Sequence, residues 1–244
     1  MKPKHITNPT RRSFLGAAAA AIAFAGLPLA ARGASSKTKI GIIGSGRIGG
    51  TLGGLWAEAG HEVMFSSLDI EHDKALAAKY GPNARAGTSR EAAAFGDVIL
   101  MAVPYRALPQ LGKDLAREIK GKVVIDACNP FVGRDGDIAK WAREKGAGLA
   151  SAELLPGARI VRAFNAVGAG RLPEIAKSKG DRTGMPIASD DAKAIEIASR
   201  LIRDVGFEPV LVGPLAMGKH LIPGTPLAGE RSSEEIRKIA KTLS

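Results

Sequence analysis

Lys39-Ile40-Gly41-Ile42-Ile43-Gly44-Ser45-Gly46-Arg47-Ile48-Gly49 is the stretch whose reading decides the fold. The apolar, β-branched run at its start reads as a short buried strand, and the glycines that follow read as a turn. Beyond Gly49, apolar residues recur at Leu52, Leu55, Trp56 and Ala59, which is the periodicity of an amphipathic helix. Strand, glycine turn and helix in this order form the opening of a unit that holds a dinucleotide. Gly44 permits the tight turn, Gly46 lets a pyrophosphate approach the backbone, and Gly49 allows the helix to pack closely on the strand. The N–H groups around Ser45, Gly46, Arg47 and Ile48 are then expected at the positive end of the helix, facing the pyrophosphate.

Alternation continues outward from this motif. The helix stops at Gly60, and His61-Glu62-Val63-Met64-Phe65 reads as the second strand. Helices are expected near 69–80, 89–95, 105–119, 171–177 and 191–205. Strands are expected near 84–86, 98–103, 122–125, 159–163, 186–188 and 209–212. Such alternation predicts an α/β protein with a Rossmann-type doubly wound parallel sheet and right-handed crossovers. The expected organisation is a dinucleotide-binding domain over residues 38–165 and a small C-terminal α/β extension over 166–244, completing the sheet and the substrate side.

The first 34 residues read as an address. Thr10-Arg11-Arg12-Ser13-Phe14-Leu15 sets paired arginines before an Ala/Gly-rich apolar run that ends in small residues at Ala30, Ala31, Gly33 and Ala34. This resembles a cleavable twin-arginine signal, recognised by the twin-arginine translocation machinery, and predicts an exported, periplasmic protein. An uncleaved membrane anchor is the alternative. Of the formal net charge of +11, Lys2, Lys4, Arg11, Arg12 and Arg32 account for five, and no acid lies among them. The remaining excess is interspersed with acids and lacks aromatic interleaving, so nucleic acid is not expected as a partner. Cys128 is the only cysteine, which excludes an internal disulfide and a thiolate metal cluster. Its place after an apolar strand suggests a packed, inert thiol. No His/Cys/Asp/Glu spacing suggests a metal site.

Cofactor choice is read at the end of the second strand, where an acid would bind the 2′-hydroxyl of NAD. Ser66 and Ser67 stand there. Two hydroxyls can hydrogen-bond the 2′-phosphate of NADP, with Arg47 adding a charge-assisted contact. Asp69 and Glu71 follow closely, which keeps NAD open.

These residues resemble the NADPH-dependent reductases of the deazaflavin coenzyme F-420. The resemblance runs from Lys39 to about Leu227 and rests on the glycine turn together with Ala59-Gly60-His61-Glu62-Val63, Ala102-Val103-Pro104-Tyr105, Asp126-Ala127-Cys128-Asn129-Pro130, Leu155-Pro156-Gly157-Ala158, Ala163-Phe164-Asn165 and Gly213-Pro214-Leu215-Ala216. It implies hydride transfer between nicotinamide and a flavin, deazaflavin or other small redox partner, with no catalytic acid or base demanded. It implies pyrophosphate contacts at Ser45–Ile48, 2′-phosphate contacts at Ser66 and Ser67, a wall beside the nicotinamide at Val103 and Pro104, and a possible homodimer. Ser67 stands where the family usually has an arginine.

Asn129 and Asn165 both follow strands, where an amide can meet a carboxamide or a substrate carbonyl; a turn at Asn129-Pro130 is the simpler alternative. Lys219 and His220 could face the substrate or form a surface loop. Asp190-Asp191 before Ala192 reads as a helix cap. Two functions follow: an exported NADP(H)-dependent oxidoreductase, or a non-catalytic NADP-binding sensor or carrier of the cell envelope.

Overall fold

The computed structural model describes residues 37–243; the expected signal segment lies outside them. Eight strands form one sheet: β1 (Lys39–Ile43), β2 (Glu62–Ser66), β3 (Ala84–Ala86), β4 (Val98–Met101), β5 (Val123–Asp126), β6 (Arg159–Arg162), β7 (Gly184–Ala188) and β8 (Glu208–Gly213), in the order β3-β2-β1-β4-β5-β6-β7-β8. The first six are all parallel, in the order of a dinucleotide-binding sheet.

The helices are α1 (Arg47–Glu58), α2 (Ile70–Tyr80), α3 (Ser89–Phe95), α4 (Leu108–Asp114), α5 (Ala116–Ile119), α6 (Val132–Asp135), α7 (Asp137–Lys145), α8 (Ala147–Leu154), α9 (Leu172–Ala176), α10 (Ala192–Asp204) and α11 (Ser233–Ala240). Side chains alternate across each strand, so the sheet builds a core on each face, and a third cluster gathers Val210, Leu227 and Ile236 at the β7–β8 end. Ile40 and Ile42 face one side, with Leu52 and Trp56 of α1 and Leu201 and Ile202 of α10. Ile43 faces the other, with Met101, Tyr105, Leu108 and Val124. Trp56 clips the first of these together, its Nε1 donating to the Leu201 carbonyl at 2.9 Å.

The structure departs from the sequence reading in three places. The sheet is not wholly parallel, because β6 meets β7 antiparallel through Arg162 and Ala188. Their connection holds only the five-residue α9, about 7 Å of helix against the about 16 Å of a five-residue strand. No helix therefore carries the chain back along the sheet, and it enters β7 from the opposite end. The helix expected over 105–119 is broken into a 3-10 turn at Tyr105–Ala107, α4 and α5. Pro109 has no N–H to offer the Tyr105 carbonyl, and at Leu115 the backbone leaves the helix (φ −108°, ψ 9°). Helices α6, α7, α8 and α11 occupy segments with no element expected.

Candidate functional site

The ends of β1, β4, β5 and β6 open together. At the first of them Gly44 takes φ +95°, and a Cβ there would lie 2.5 Å from the Ala102 carbonyl oxygen. At Gly49 a Cβ would meet the Gly44 carbonyl oxygen at 2.0 Å, so α1 lies directly on the turn. Gly46 differs: nothing stands within 4 Å of where its Cβ would be. It caps α1 without any side-chain hydrogen bond, and the first turn carries no acid. The N–H groups of Gly46, Arg47 and Ile48 thus have no carbonyl one turn back and surround an open space, a cradle with the donors and dipole an anion needs. Ser45, expected among these donors, is not one of them, since its N–H and that of Gly44 both donate to the Ser66 carbonyl, at 3.0 and 2.9 Å.

A cavity of about 330 Å³ runs from this cradle across the strand ends. Arg47 and Ile48 form its near side, Val103 and Pro104 one wall, and Asn129, Phe131, Arg134 and Asn165 its far side; Val167 and Pro223 also line it. Arg47 is exposed and makes no ion pair among the described residues, so its charge is available to an anion. Val103, Pro104, Asn129 and Asn165, singled out in the sequence, are brought together here.

The second-strand end departs from expectation. Ser66 is fully buried and its hydroxyl donates to the Ile42 carbonyl at 2.6 Å, so it cannot reach a 2′-phosphate. Ser67 is half-buried, and its Oγ lies 3.0 Å from the carboxylate of Asp73. Asp73 itself is buried and also receives the Ser45 hydroxyl. Nothing in the spacing of the sequence marks Asp73; the first turn of α2 brings it back under the loop.

The far side rests on a buried charge pair that the sequence reading missed. Arg162 and Asp126 are neighbours across β6 and β5, and neither side chain is exposed. Arg162 Nη1 donates to Asp126 Oδ2 at 2.5 Å, and Nη2 donates to the Cys128 carbonyl at 3.1 Å. The other Asp126 oxygen accepts the Cys128 N–H at 2.8 Å. Room for the guanidinium comes from Gly148 and Gly218, whose Cβ atoms would sit 3.2 and 2.5 Å from Arg162 Cδ. The pair holds the chain after β5, where Asn129 donates through Nδ2 to the Asn165 carbonyl at 2.9 Å. Asn129 thus orients Asn165, and Arg134 Nη2 holds the Asn129 carbonyl at 2.9 Å.

Asn165 follows Phe164, the one non-glycine residue with positive φ (+64°) among the described residues. That conformation costs about 1–2 kcal/mol and persists only where packing enforces it. Trp56 and Phe207 enforce it, meeting the Phe164 ring edge-to-face at 6.1 and 6.0 Å. The consequence is an Asn165 side chain that lines the cavity with its Oδ1 buried and unpartnered among protein groups. An unpaired buried acceptor costs free energy, and this one belongs to a residue of the cavity lining.

Nearby titratable groups are not poised for proton transfer. Burial pushes the Cys128 thiol well above its usual range, as the inert reading expects. Burial, followed by the charge of Asp126, likewise raises the Tyr105 phenol. Asp135 is penalised by burial, but hydrogen bonds from Arg134 and from backbone N–H groups hold its carboxyl below the ordinary value. Its role is to anchor Arg134, which stacks over Phe131 at 5.1 Å. Lys219 and His220 end a 3-10 segment over Leu215–His220 and do not line the cavity. Asp191 does cap α10, accepting the Ala194 N–H at 3.0 Å.

Comparison with known proteins places this arrangement. Residues 39–130 match the family model described as NADP oxidoreductase coenzyme F420-dependent. The F420-dependent NADP reductase of Methanothermobacter thermautotrophicus is 30% identical over 205 residues, 78% of this chain and 87% of that protein. Among solved structures, a hypothetical protein from Sinorhizobium meliloti is 26% identical with a TM-score of 0.66, covering 80% of this chain and 94% of the other. An imine reductase from Myxococcus stipitatus shares the fold, at 18% identity and a TM-score of 0.54 over 85% of this chain and 60% of its own.

Proposed function

The chain belongs to the family of coenzyme F420-dependent NADP oxidoreductases, and on that premise we propose that it is an NADP(H)-dependent oxidoreductase whose second substrate is a deazaflavin, a flavin or a similar small redox molecule. The observation that carries this reading is a single cavity lined by Arg47 and Ile48 of the anion cradle at one side and by Asn165, whose buried Oδ1 has no partner among the described residues, at the other.

A nicotinamide dinucleotide, when bound, supplies or takes up a hydride at its ring. The chain's own residues bind and orient. Backbone N–H groups of Gly46, Arg47 and Ile48 hold the pyrophosphate, and the Arg47 guanidinium offsets its charge. Val103 and Pro104 provide an apolar wall for a flat ring, and Asn165 Oδ1 accepts from the carboxamide. The second substrate takes the open end beside Phe131 and Val167, and its stacking distance is set by these walls. No side chain is called on for a proton, in keeping with the raised Cys128 and Tyr105. Mixing the protein and NADPH with flavin, deazaflavin, quinone and ferric acceptors is expected to give steady nicotinamide oxidation with at least one flavin or deazaflavin. Binding without turnover across the panel would instead favour a sensor or carrier.

The proposal extends to location. Arg11 and Arg12 before the apolar run support export by the twin-arginine route, which carries folded proteins and so calls for a cofactor either held tightly or regenerated outside the cytoplasm. Replacing both arginines with lysine is expected to retain the protein in the cytoplasm, read by fractionation; unchanged export would sink this part. Pairing into a homodimer rests on the family resemblance.

A further inference from the structure

Whichever cofactor occupies the glycine turn, its adenosine ribose lies near the end of β2, where Asp73 has no role assigned by the motif. Asp73 is fully buried, and its two carboxylate oxygens accept from the hydroxyls of Ser45 and Ser67. It makes no ion pair among the described residues, so those hydroxyls are the side-chain donors that compensate its charge. Each serine has one hydroxyl proton to give. The Ser67 proton has two takers inside the protein, Asp73 Oδ2 at 3.0 Å and the Asp69 carbonyl at 3.1 Å, while Ser67 Oγ itself accepts the Asp69 N–H at 3.1 Å. What Ser67 shows to solvent is therefore a lone pair.

A lone pair welcomes a hydroxyl and repels a phosphate oxygen. We propose that Asp73 is the specificity-determining residue of the cofactor site: by drawing the Ser67 proton inward it makes Ser67 an acceptor for a ribose 2′-hydroxyl, and so admits NADH beside NADPH. It is a positioning residue, acting through Ser67. Two neighbouring features agree with this. Leu68, fully exposed, adds no charge to the loop. Lys74, the lysine next to Asp73, is paired with Glu71 at 2.8 Å. Serving a 2′-phosphate would need Ser67 to turn its proton outward and leave a buried carboxylate short of a donor, a cost paid only by the phosphorylated cofactor.

The inference rests on the reading of the glycine turn as a nicotinamide dinucleotide site. The test measures dissociation constants for NADPH and NADH, by nicotinamide fluorescence, on the full-length protein and on Asp73→Asn and Ser67→Ala. In Asp73→Asn the side-chain amide can donate to Ser67 and free its proton, and the affinity ratio is expected to move toward NADPH by about tenfold. In Ser67→Ala, NADH is expected to weaken several-fold while NADPH stays the same. An unmoved ratio in Asp73→Asn, an equal loss of both cofactors, or a selective loss of NADPH in Ser67→Ala would overturn the proposal. If Asp73→Asn fails to fold, the Ser67→Ala pair of constants decides alone. Absence of binding by either cofactor to the unaltered protein would remove the functional reading as well, whereas binding of both with an unresponsive ratio removes only this one.

Discussion

Replacing Gly46 with valine is expected to abolish dinucleotide binding, by about a hundredfold or more, while leaving the melting temperature within a few degrees of the unaltered protein. Space decides this outcome. A Cβ at Gly46 meets no protein atom within 4 Å, and its backbone is extended with a negative φ (−66°), outside the left-handed region that L-residues avoid. Folding should not register the change. The only occupant of the space a valine would fill is the anion, and losing two or three charge-assisted hydrogen bonds at about 1.5–3 kcal/mol each gives the stated loss.

Gly49→Val should behave differently although it is in the same motif. Its Cβ would press into the Gly44 carbonyl at 2.0 Å and the Ile42 side chain at 2.9 Å. Helix α1 would have to lift from β1, so stability and binding should fall together. Calorimetric melting beside nucleotide titration separates the two variants, and a Gly46→Val protein that melts early would contradict the assignment of that glycine to the ligand.

Arg162→Met is expected to be the most destabilising single change outside the glycine turn. It leaves the Asp126 carboxylate in a fully enclosed position with the Cys128 N–H as its remaining donor. Removing one member of a buried pair costs about 3–5 kcal/mol, because the other charge stays desolvated. For a protein of this size that is a fall of about 10 °C in melting temperature. Changing both residues together, to Met at 162 and Leu at 126, is expected to recover a substantial part, since apolar side chains carry no desolvation penalty. The double variant should nevertheless bind cofactor poorly, because the chain after β5 loses the guanidinium contact to the Cys128 carbonyl and Asn129 loses its fixed place against Asn165. A double variant as unstable as Arg162→Met would show that the pair contributes packing rather than charge.

These expectations mark the boundary between local and long-range information. Local sequence determined the strand, turn and helix at Lys39–Glu58, because the apolar period and the glycines act between residues close in sequence. It likewise determined the alternation that yields the first six strands, and it pointed to Val103, Pro104, Asn129 and Asn165 through their positions after strands. Tertiary structure decided the rest. That Ser66 faces inward follows from the pleat, since its hydroxyl reaches the Ile42 carbonyl of a neighbouring strand. That Asp73 also receives the Ser45 hydroxyl joins α2 to a glycine turn 28 residues away in sequence. The Asp126–Arg162 pair joins residues 36 apart in sequence, and the positive φ of Phe164 is held by Trp56 and Phe207 from elements far along the chain. The periodicity of a sequence reports which face of an element is apolar. Which buried polar group meets which is settled only when the elements pack, because a buried charge must find its partner wherever the fold brings one.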